Sequence, residues 1–350
     1  MSAQRIAVIP GDGIGVDVIE SARAVLDAVC AKHRIELEYR EFDWSCQRYE
    51  REGAMMPADG LDMLREFDAI LLGAVGWPGV PDHVSLWGLL IPIRRTFRQY
   101  VNLRPIRVFR GVQSPLRGAE DVDFVVVREN IEGEYSEIGG RLNRGFPEEM
   151  AVQESVFTRA GVSRIADYAF ELAQTRRGYV TSATKSNGIV HTLPFWDEVV
   201  AERSARYPDV RIDSEHIDAL AAKFVLQPSR FDVVVASNLF GDILSDLAAA
   251  VAGSIGIAPS ANLDPTKQYP SMFEPVHGSA PDIAGRGIAN PVGAVWSAAM
   301  MLSHLGHHAA ADDVLAAMTG SLADPSTRTA DLGGTASTAQ VTAALVAALA

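Results

Sequence analysis

Residues 233–246 read VVVASNLFGDILSD, and this stretch decides the fold class because a strand pattern runs directly into a helical pattern. The run Val233–Ala236 is apolar and mostly β-branched, which is typical of a strand covered on both faces. Strand patterns also occur at 6–9, 35–39, 69–72 and 124–127. Helical patterns separate most of them and span Val16–Ala31, Val162–Gln174, Phe195–Tyr207, Ile217–Val225 and Ile243–Val251. This alternation predicts an α/β fold in which helices flank a largely parallel sheet.

Three segments depart from this alternation. Glu134–Phe157 is rich in Gly, Arg, Asn and Glu and has short extended patches, which predicts a protruding hairpin or arm at about 136–157. Gly253–Pro281 is rich in Gly and Pro, which predicts loops around a site. Thr338–Ala350 is rich in Ala and predicts a C-terminal helix.

The composition of the 350-residue chain is ordinary for a globular protein, with 48% hydrophobic and 21% charged residues, and the length is typical of about two domains. The net charge of −13 disfavours nucleic acid or an anionic membrane as a partner, although a local arginine cluster still allows an anionic substrate. The two cysteines, Cys30 and Cys46, indicate reduced thiols. Residues 1–10 lack the apolar run of a secretory signal, and no stretch has the apolar length of a membrane span. We therefore expect a cytoplasmic protein.

Two aspartates follow the strand at 233–236. Asp242 and Asp246 are four residues apart, so a helix places both carboxylates on one face, next to the end of a buried strand where α/β proteins bind ligands. Their charges repel each other, and a hard cation such as Mg²⁺ or Mn²⁺ would compensate them. A solvated acidic helix face explains the pair equally well.

Three arginines are candidates for binding an anion. Arg128 ends an apolar strand, Arg104 lies in the sequence Asn-Leu-Arg-Pro at 102–105, and Arg94 precedes both. A guanidinium group matches a carboxylate with two parallel hydrogen bonds. A structural ion pair is the favoured alternative for any one of them alone, and we assign Arg95 and Arg98 to that role.

Two further residues are candidates for proton transfer. Lys185 follows a strand among small polar residues, and a nearby metal ion would lower its pKa enough for it to act as a base. Tyr135, shortly after Arg128, is a candidate acid. The alternatives are a surface lysine and a tyrosine that packs against the arm.

Two glycine-containing loops are candidates for the wall of a cofactor cleft. Gly11-Asp12-Gly13-Ile14-Gly15 follows the first strand, but its spacing differs from the dinucleotide-binding fingerprint, and a tight strand-to-helix turn is the favoured interpretation. Glu274-Pro-Val-His-Gly-Ser-Ala-Pro-Asp282 offers backbone donors, a histidine and a carboxylate that would hydrogen-bond the ribose of NAD and repel the 2′-phosphate of NADP. A rigid turn is the alternative for this second loop.

In this order, the motifs resemble the metal-dependent β-decarboxylating dehydrogenases, the family of isopropylmalate, isocitrate, homoisocitrate, tartrate and D-malate dehydrogenases. The resemblance covers nearly the whole chain. It is carried by Ile9–Gly15, Asn102–Pro105, Asn238–Asp246 and His277–Asp282. Within the family, the chain looks most similar to the tartrate and D-malate branch, through Gly73–Pro78, Ser85–Gly88, Ser155–Arg159 and Thr181–Gly188.

The resemblance implies a role for each candidate residue. The substrate carboxylates are held by Arg94, Arg104 and Arg128. The metal ion, Mn²⁺ or Mg²⁺, is ligated by Asp218, Asp242 and Asp246. Lys185 takes the proton of the 2-hydroxyl group, and Tyr135 supplies a proton to carbon 3 after CO₂ leaves. NAD is held by the loop residues Glu274, His277, Gly278, Ser279, Ala280 and Asp282 together with Asn290. A monovalent cation such as K⁺ is a further candidate, as an activator of the enzyme.

The resemblance also implies the architecture. We expect two interleaved α/β domains with a mixed, largely parallel sheet, as in isopropylmalate dehydrogenase. Residues 1–98 and 252–350 would form the cofactor domain, and residues 99–251 the substrate, metal and dimerisation domain. The arm would clasp a second copy of the chain, and Lys185 and Asp218 would come from that partner subunit.

The substrate is expected to be a small 2-hydroxy dicarboxylate. Ser85 and Trp87 precede Arg94, and in the similar isopropylmalate dehydrogenases the helix ahead of this arginine carries a Glu where Trp87 aligns. A Trp there would fill space and favour a small or hydroxyl-bearing group at carbon 3, hence D-malate or tartrate, and packing between domain and arm is the alternative for Trp87. Such pockets discriminate by only about 1–3 kcal/mol per methylene, so a 3-isopropylmalate dehydrogenase is the first alternative. A catalytically silent regulatory homologue is the second, and it is disfavoured because the chain keeps Lys185, Tyr135 and all three aspartates.

Overall fold

The computed structural model describes residues 3–350, which form one mixed ten-stranded sheet, a separate hairpin and the surrounding helices. The strands are β1 (Gln4–Gly11), β2 (Leu37–Glu41), β3 (Ala69–Ala74), β4 (Val101–Arg107), β5 (Asp123–Glu129), β6 (Gly139–Leu142), β7 (Met150–Gln153), β8 (Tyr179–Thr184), β9 (Arg211–His216), β10 (Val233–Ala236), β11 (Pro259–Leu263) and β12 (Ser271–Pro275). The helices are α1 (Ile14–His33), α2 (Cys46–Glu52), α3 (Gly60–Leu64), α4 (Asp82–Ser85), α5 (Ile91–Thr96), α6 (Arg159–Gln174), α7 (Thr192–Ser204), α8 (Ile217–Leu226), α9 (Asn238–Val251), α10 (Val292–His304), α11 (His308–Ala323) and α12 (Thr338–Leu349).

The strand order in the sheet is β2-β1-β3-β12-β11-β4-β5-β10-β8-β9. The four strands at each end of this order are parallel within their group. The pairings β12-β11, β11-β4 and β4-β5 in the middle are antiparallel. The prediction of an α/β fold with a mixed, largely parallel sheet is therefore confirmed. Strands β3, β5, β8 and β10 are almost entirely buried, as the apolar runs of β3, β5 and β10 indicate.

The prediction that 253–281 consists of loops is wrong, because this segment contributes β11 and β12, whose residues are all buried. Polar residues conceal these strands in the sequence. Ser260 and Asn262 of β11 accept hydrogen bonds from the amide of Asn102 on β4, at 2.8 and 3.0 Å. Polar side chains are tolerated in the middle of a sheet when each finds a partner on a neighbouring strand.

The turn interpretation of Gly11–Gly15 is confirmed. Gly11 and Gly13 have φ values of 73° and 57°, which disfavour other residues, and α1 begins at the next residue. The helix then packs closely on β3. A Cβ atom added to Gly73 would lie 2.2 Å from the carbonyl oxygen of Pro10 and 2.9 Å from the Cα atom of Gly15.

The predicted arm is an antiparallel hairpin of β6 and β7, in which every strand residue is exposed.

The predicted domain boundaries fall between α5 and β4 and at the end of α9, while β4 and β11 pair across the division. Within residues 3–350, no helix has both the length and the apolar character that crossing a membrane requires.

Candidate active site

The arginines and one of the aspartates identified in the sequence surround a single cavity of about 150 Å³. It lies between α5, β4, the end of β5 and the start of α9. Its lining residues are Leu86, Ile91, Arg94, Arg95, Arg104, Arg128, Asn130, Ile131, Tyr135, Asn238 and Asp242. The cavity is therefore strongly cationic and small enough for a ligand of only a few carbon atoms.

Arg128 is fixed by the first turn of α9. Its side chain is 4% exposed, and its Nε and Nη2 atoms donate hydrogen bonds to Asn238 Oδ1 at 3.1 and 2.7 Å. Its Nη1 atom donates to Asp242 Oδ1. Burial lowers the pKa of Arg128 to about 10, so the group still carries its charge at neutral pH.

Arg104 joins the same helix one turn later. Its Nη1 atom donates to Ser245 Oγ at 2.6 Å and to Asp246 Oδ1 at 3.3 Å, and it lies 3.4 Å from Asp242 Oδ1. Burial by itself would raise the pKa of Asp242, but the charges of Arg128 and Arg104 hold it below its ordinary value. At Asp246, burial raises the pKa, and Arg104 only partly opposes it. The two carboxylates thus lie on one helix face, as predicted.

Arg94 pairs with a residue that the sequence analysis assigned to a different ligand. Its Nη2 atom donates to Glu274 Oε1 at 2.7 Å, and both side chains are 10% exposed. The same oxygen accepts a hydrogen bond of 2.7 Å from Asn262 Nδ2. This buried pair connects the candidate substrate cavity to the strand that leads into the candidate cofactor loop.

Tyr135 reaches the cavity from the segment between β5 and the arm. Its hydroxyl donates to Asp242 Oδ2 at 3.0 Å. Burial and the neighbouring Asp242 raise the pKa of Tyr135, so its proton is retained at neutral pH.

Arg95, assigned to a structural ion pair, does bind Glu137 at 2.7 Å. It also donates to the Tyr135 carbonyl oxygen at 2.7 Å and lines the cavity, which the sequence analysis missed.

Ser85 and Trp87 do not line the cavity, whereas Leu86 between them does. The Ser85 hydroxyl donates to the Asp82 carbonyl oxygen at 3.0 Å, and the Arg95 guanidinium lies 4.9 Å from the centre of the Trp87 ring. Residues Leu86–Leu90 form a π-helical turn. A π-helical turn changes which side chains share a face, so the position of Trp87 ahead of Arg94 in the sequence did not show that Leu86 faces the cavity.

Lys185 and Asp218 lie outside the cavity and pair with each other. Lys185 Nζ donates to Asp218 Oδ1 at 2.7 Å, and the Asp218 side chain is 68% exposed. The hydrogen bond from Lys185 lowers the pKa of Asp218. In the part of one chain that the structure describes, no three His, Cys, Asp or Glu side chains are grouped closely enough to hold a metal ion.

The loop that follows β12 lies against the glycine turn after β1, because Ile14 N donates to the Ser279 carbonyl oxygen at 2.8 Å. His277 is buried, its Nδ1 atom lies 3.0 Å from the Gly278 carbonyl oxygen, and its Nε2 atom has no hydrogen-bond partner. Burial lowers the pKa of His277. Gly278 and Asp282 are exposed, while Ala280 has a positive φ of 39°.

Asn290 and two residues that the sequence analysis did not identify support these loops. Asn290 Nδ2 donates to Asp331 Oδ2 at 3.0 Å, and Asn290 Oδ1 accepts from Val292 N at 3.0 Å. Asp12 is buried and accepts hydrogen bonds from the backbone nitrogens of Cys46, at 2.9 Å, and Gly76, at 3.0 Å. The only sequence feature that indicated a role for Asp12 was its position between two glycines of a turn. No sequence feature near Asp331 indicated its role.

The family model described as "Isocitrate/isopropylmalate dehydrogenase" matches residues 5–346, and the chain belongs to this family. It is 55% identical over 355 residues to D-malate dehydrogenase [decarboxylating] of Escherichia coli (strain K12), covering 99% of this chain and 98% of the relative. It is 56% identical over 352 residues to tartrate dehydrogenase/decarboxylase of Pseudomonas putida, covering 97% and 96%. Among solved structures, isocitrate dehydrogenase from Methylococcus capsulatus matches with a TM-score of 0.90 at 35% identity, covering 99% of both chains.

Proposed function

We propose that this protein oxidises and decarboxylates a small 2-hydroxy dicarboxylate, D-malate or tartrate, with NAD as the oxidant and a divalent metal ion. The observation that carries the proposal is the cavity of about 150 Å³ lined by Arg94, Arg104 and Arg128. Three guanidinium groups around so small a volume suit a compact dianion, because each guanidinium group can donate two parallel hydrogen bonds to a carboxylate. The relatives named D-malate dehydrogenase and tartrate dehydrogenase/decarboxylase support the same substrate class.

The metal ion would be held by Asp242 and Asp246 together with Asp218 from a partner subunit. The donor set fits, because all three ligands are carboxylates, which suit Mn²⁺ and Mg²⁺. The raised pKa of Asp246, which burial causes, indicates a position where a cation would be favourable. When bound, such an ion supplies Lewis-acid polarisation of the substrate oxygens.

The proton-transfer roles fall to Lys185 and Tyr135. Lys185, from the partner subunit, would accept the proton of the 2-hydroxyl group. Tyr135 keeps its proton at neutral pH and donates a hydrogen bond to Asp242, so it would hold a proton for delivery to carbon 3 of the substrate.

NAD would lie along the glycine turn at 11–15 and the loop at 277–282, and it supplies hydride acceptance when bound. The unpartnered Nε2 atom of the buried His277 and the exposed Asp282 carboxylate support this assignment. Asp282 would bind the ribose hydroxyls, and Glu274, Gly278, Ser279, Ala280 and Asn290 would shape the remaining wall. The cofactor domain would comprise residues 1–98 and 252–350, and residues 99–251 would form the other domain.

The catalytic unit would be a homodimer. The arm exposes several large apolar side chains that a second copy of the chain would cover, namely Ile138, Leu142, Phe146, Met150 and Val152. Large exposed apolar patches mark interaction surfaces. The separation of Lys185 and Asp218 from the arginine cavity within one chain supports the same conclusion.

A specific observation favours 3-isopropylmalate as a second candidate substrate, because Leu86 and Ile91 contribute apolar surface to the cavity. The deciding experiment compares NADH formation with Mn²⁺ and D-malate, L-tartrate or 3-isopropylmalate. We expect D-malate or tartrate to have at least a tenfold higher kcat/KM, which corresponds to about 1.4 kcal/mol. A higher value for 3-isopropylmalate would reject the proposed substrate while retaining the reaction class.

The Lys185→Ala variant tests the proposed base. We expect it to bind NAD as the unaltered protein does but to lose NADH formation, because the 2-hydroxyl proton has no acceptor. Full turnover by this variant would remove Lys185 from the reaction.

A further inference from the structure

Asn262 lies at the centre of a buried network of polar side chains next to the cavity lining. It belongs to β11 and is completely buried. Its Oδ1 atom accepts hydrogen bonds from Asn102 Nδ2 at 3.0 Å and from Asn130 Nδ2 at 2.9 Å. Its Nδ2 atom donates to Glu274 Oε1 at 2.7 Å. This single amide group therefore joins β4, the segment after β5, and β12.

One of these contacts fixes a residue of the cavity lining directly. Asn130 lines the cavity, and its Nδ2 atom donates to the Gln99 carbonyl oxygen at 2.9 Å as well as to Asn262. An amide nitrogen has two hydrogens, so both are used, and the amide group cannot turn over without losing both hydrogen bonds. The Oδ1 atom of Asn130, which is buried and has no partner within residues 3–350, is therefore held in one direction as an acceptor.

Another contact reaches the lining through a carboxylate. Glu274 Oε1 accepts hydrogen bonds from Asn262 Nδ2 and from Arg94 Nη2, each at 2.7 Å. Arg94 lines the cavity. A carboxylate oxygen that a second donor holds in place has less freedom to move, so the position of the Arg94 guanidinium group depends on Asn262.

We infer that Asn262 is a positioning residue, which orients Asn130 directly and Arg94 through Glu274 for substrate binding in the cavity. The inference rests on the proposed function for the identity of the substrate, but not for the geometry of Arg94. A network that only paired polar groups inside the sheet would stabilise the fold without affecting the reaction. The two roles therefore differ in what a substitution at position 262 changes.

Asn262→Asp is the main test, because it replaces one amide nitrogen by oxygen in the same space. The acceptor for Asn102 and Asn130 is kept, and the donor to Glu274 becomes a carboxyl oxygen. Glu274 and Arg94 are the charged side chains of the network. Two carboxyl groups in contact do not both ionise readily, so one pKa is strongly raised. Below that pKa the added proton restores the hydrogen bond to Glu274, and above it the two charges repel and disturb the partner of Arg94.

The measurement is kcat/KM from NADH formation with Mn²⁺ and D-malate or tartrate, at about pH 6 and about pH 9, on either side of such a raised pKa. We expect Asn262→Asp to fall below the unaltered protein by about 10- to 100-fold at the higher pH, the range of one hydrogen bond to a charged group, and by less than about threefold at the lower pH. An equal loss at both pH values, or no loss at either, would overturn the inference.

Ser260→Ala is the matched control. Ser260 is buried in the same strand and accepts a hydrogen bond of 2.8 Å from Asn102. Within residues 3–350, its hydroxyl group has no hydrogen bond with Glu274 or Asn130. This variant should lower the free energy of unfolding in urea and keep kcat/KM at both pH values. A loss of kcat/KM equal to that of Asn262→Asp would show that the network only stabilises the fold.

Two further measurements keep the inference open to refutation. If Asn262→Asp does not fold, Asn262→Ser replaces it, because the shorter hydroxyl group does not reach Glu274. It should lose about 10-fold or more in kcat/KM at both pH values, and full activity would overturn the inference. A crystal structure of Asn262→Asp at the higher pH should show the contact between Arg94 and Glu274 lengthened, and an unchanged contact would overturn the inference whatever the substrate. Failure of the unaltered protein to oxidise either acid would instead refute the proposed function, and the crystal structure would then decide the inference.

Discussion

Gly241 tests whether the arginine cavity depends on close packing between β5 and α9. It lies in the first turn of α9, between Asn238 and Asp242, which both bind Arg128. A Cβ atom at position 241 would lie 2.6 Å from Arg128 Cβ and 2.7 Å from Arg128 Cγ. Carbon atoms in ordinary contact are about 3.5–4.0 Å apart, so Gly241→Ala must move Arg128 or the start of α9 by about 1 Å.

Such a movement should reduce activity more than stability. A displacement of about 1 Å at a reacting site can cost about 100-fold in rate, and an added methyl group in a packed interior costs about 1–3 kcal/mol of unfolding free energy. We therefore expect Gly241→Ala to lower kcat/KM for D-malate by about two orders of magnitude while the protein still folds. The assays are initial rates of NADH formation with Mn²⁺ and unfolding in urea.

Gly320→Ala is the matched control, because it makes the same change in another helix. Gly320 is exposed in α11, and a Cβ atom there would have no other atom within 4 Å. This variant should gain about 0.5–1 kcal/mol of unfolding free energy, since alanine is the better helix former, and should keep its activity. If Gly241→Ala retained kcat/KM within a factor of two, the packing argument for Arg128 would be wrong.

Two further predictions concern buried carboxylates. Burial raises the pKa of Glu129 to about 7, so the folded state binds this proton more tightly than the unfolded state does. The free energy of unfolding therefore falls as the pH rises from about 4.5 through 7. Glu129→Gln should therefore become more stable relative to the unaltered protein over that interval. Urea unfolding at pH 5 and pH 8 measures this, and an equal difference in unfolding free energy between the two proteins at both pH values would contradict it. Asp12→Ala should lower the unfolding free energy by about 1–3 kcal/mol, because the buried backbone nitrogen of Cys46 loses its acceptor, while that of the half-buried Gly76 can bind water instead. It should also weaken NAD binding in calorimetric titration, and an unchanged unfolding curve would show that Asp12 has no structural role.

The parts of the fold that the sequence predicted are those that depend on local periodicity. The buried strands at 69–74, 123–129 and 233–236 have nearly continuous apolar runs, and α1 follows a glycine turn whose positive φ values require such residues. The sequence missed β11 and β12 because their buried serine and asparagine are paired across strands. A local pattern carries no information about partners more than 100 residues away.

For the candidate site, the sequence by itself determined the chemistry: three arginines, of which Arg128 ends a strand, two aspartates on one helix face, and a tyrosine nearby. Only the tertiary structure decided which of them meet. It pairs Arg94 with Glu274, 180 residues away, and faces Leu86 rather than Trp87 into the cavity. The physical reason is that residue types and spacing follow from the chain, whereas hydrogen-bond partners and cavity walls follow from how the sheet, the π-helical turn and α9 pack together.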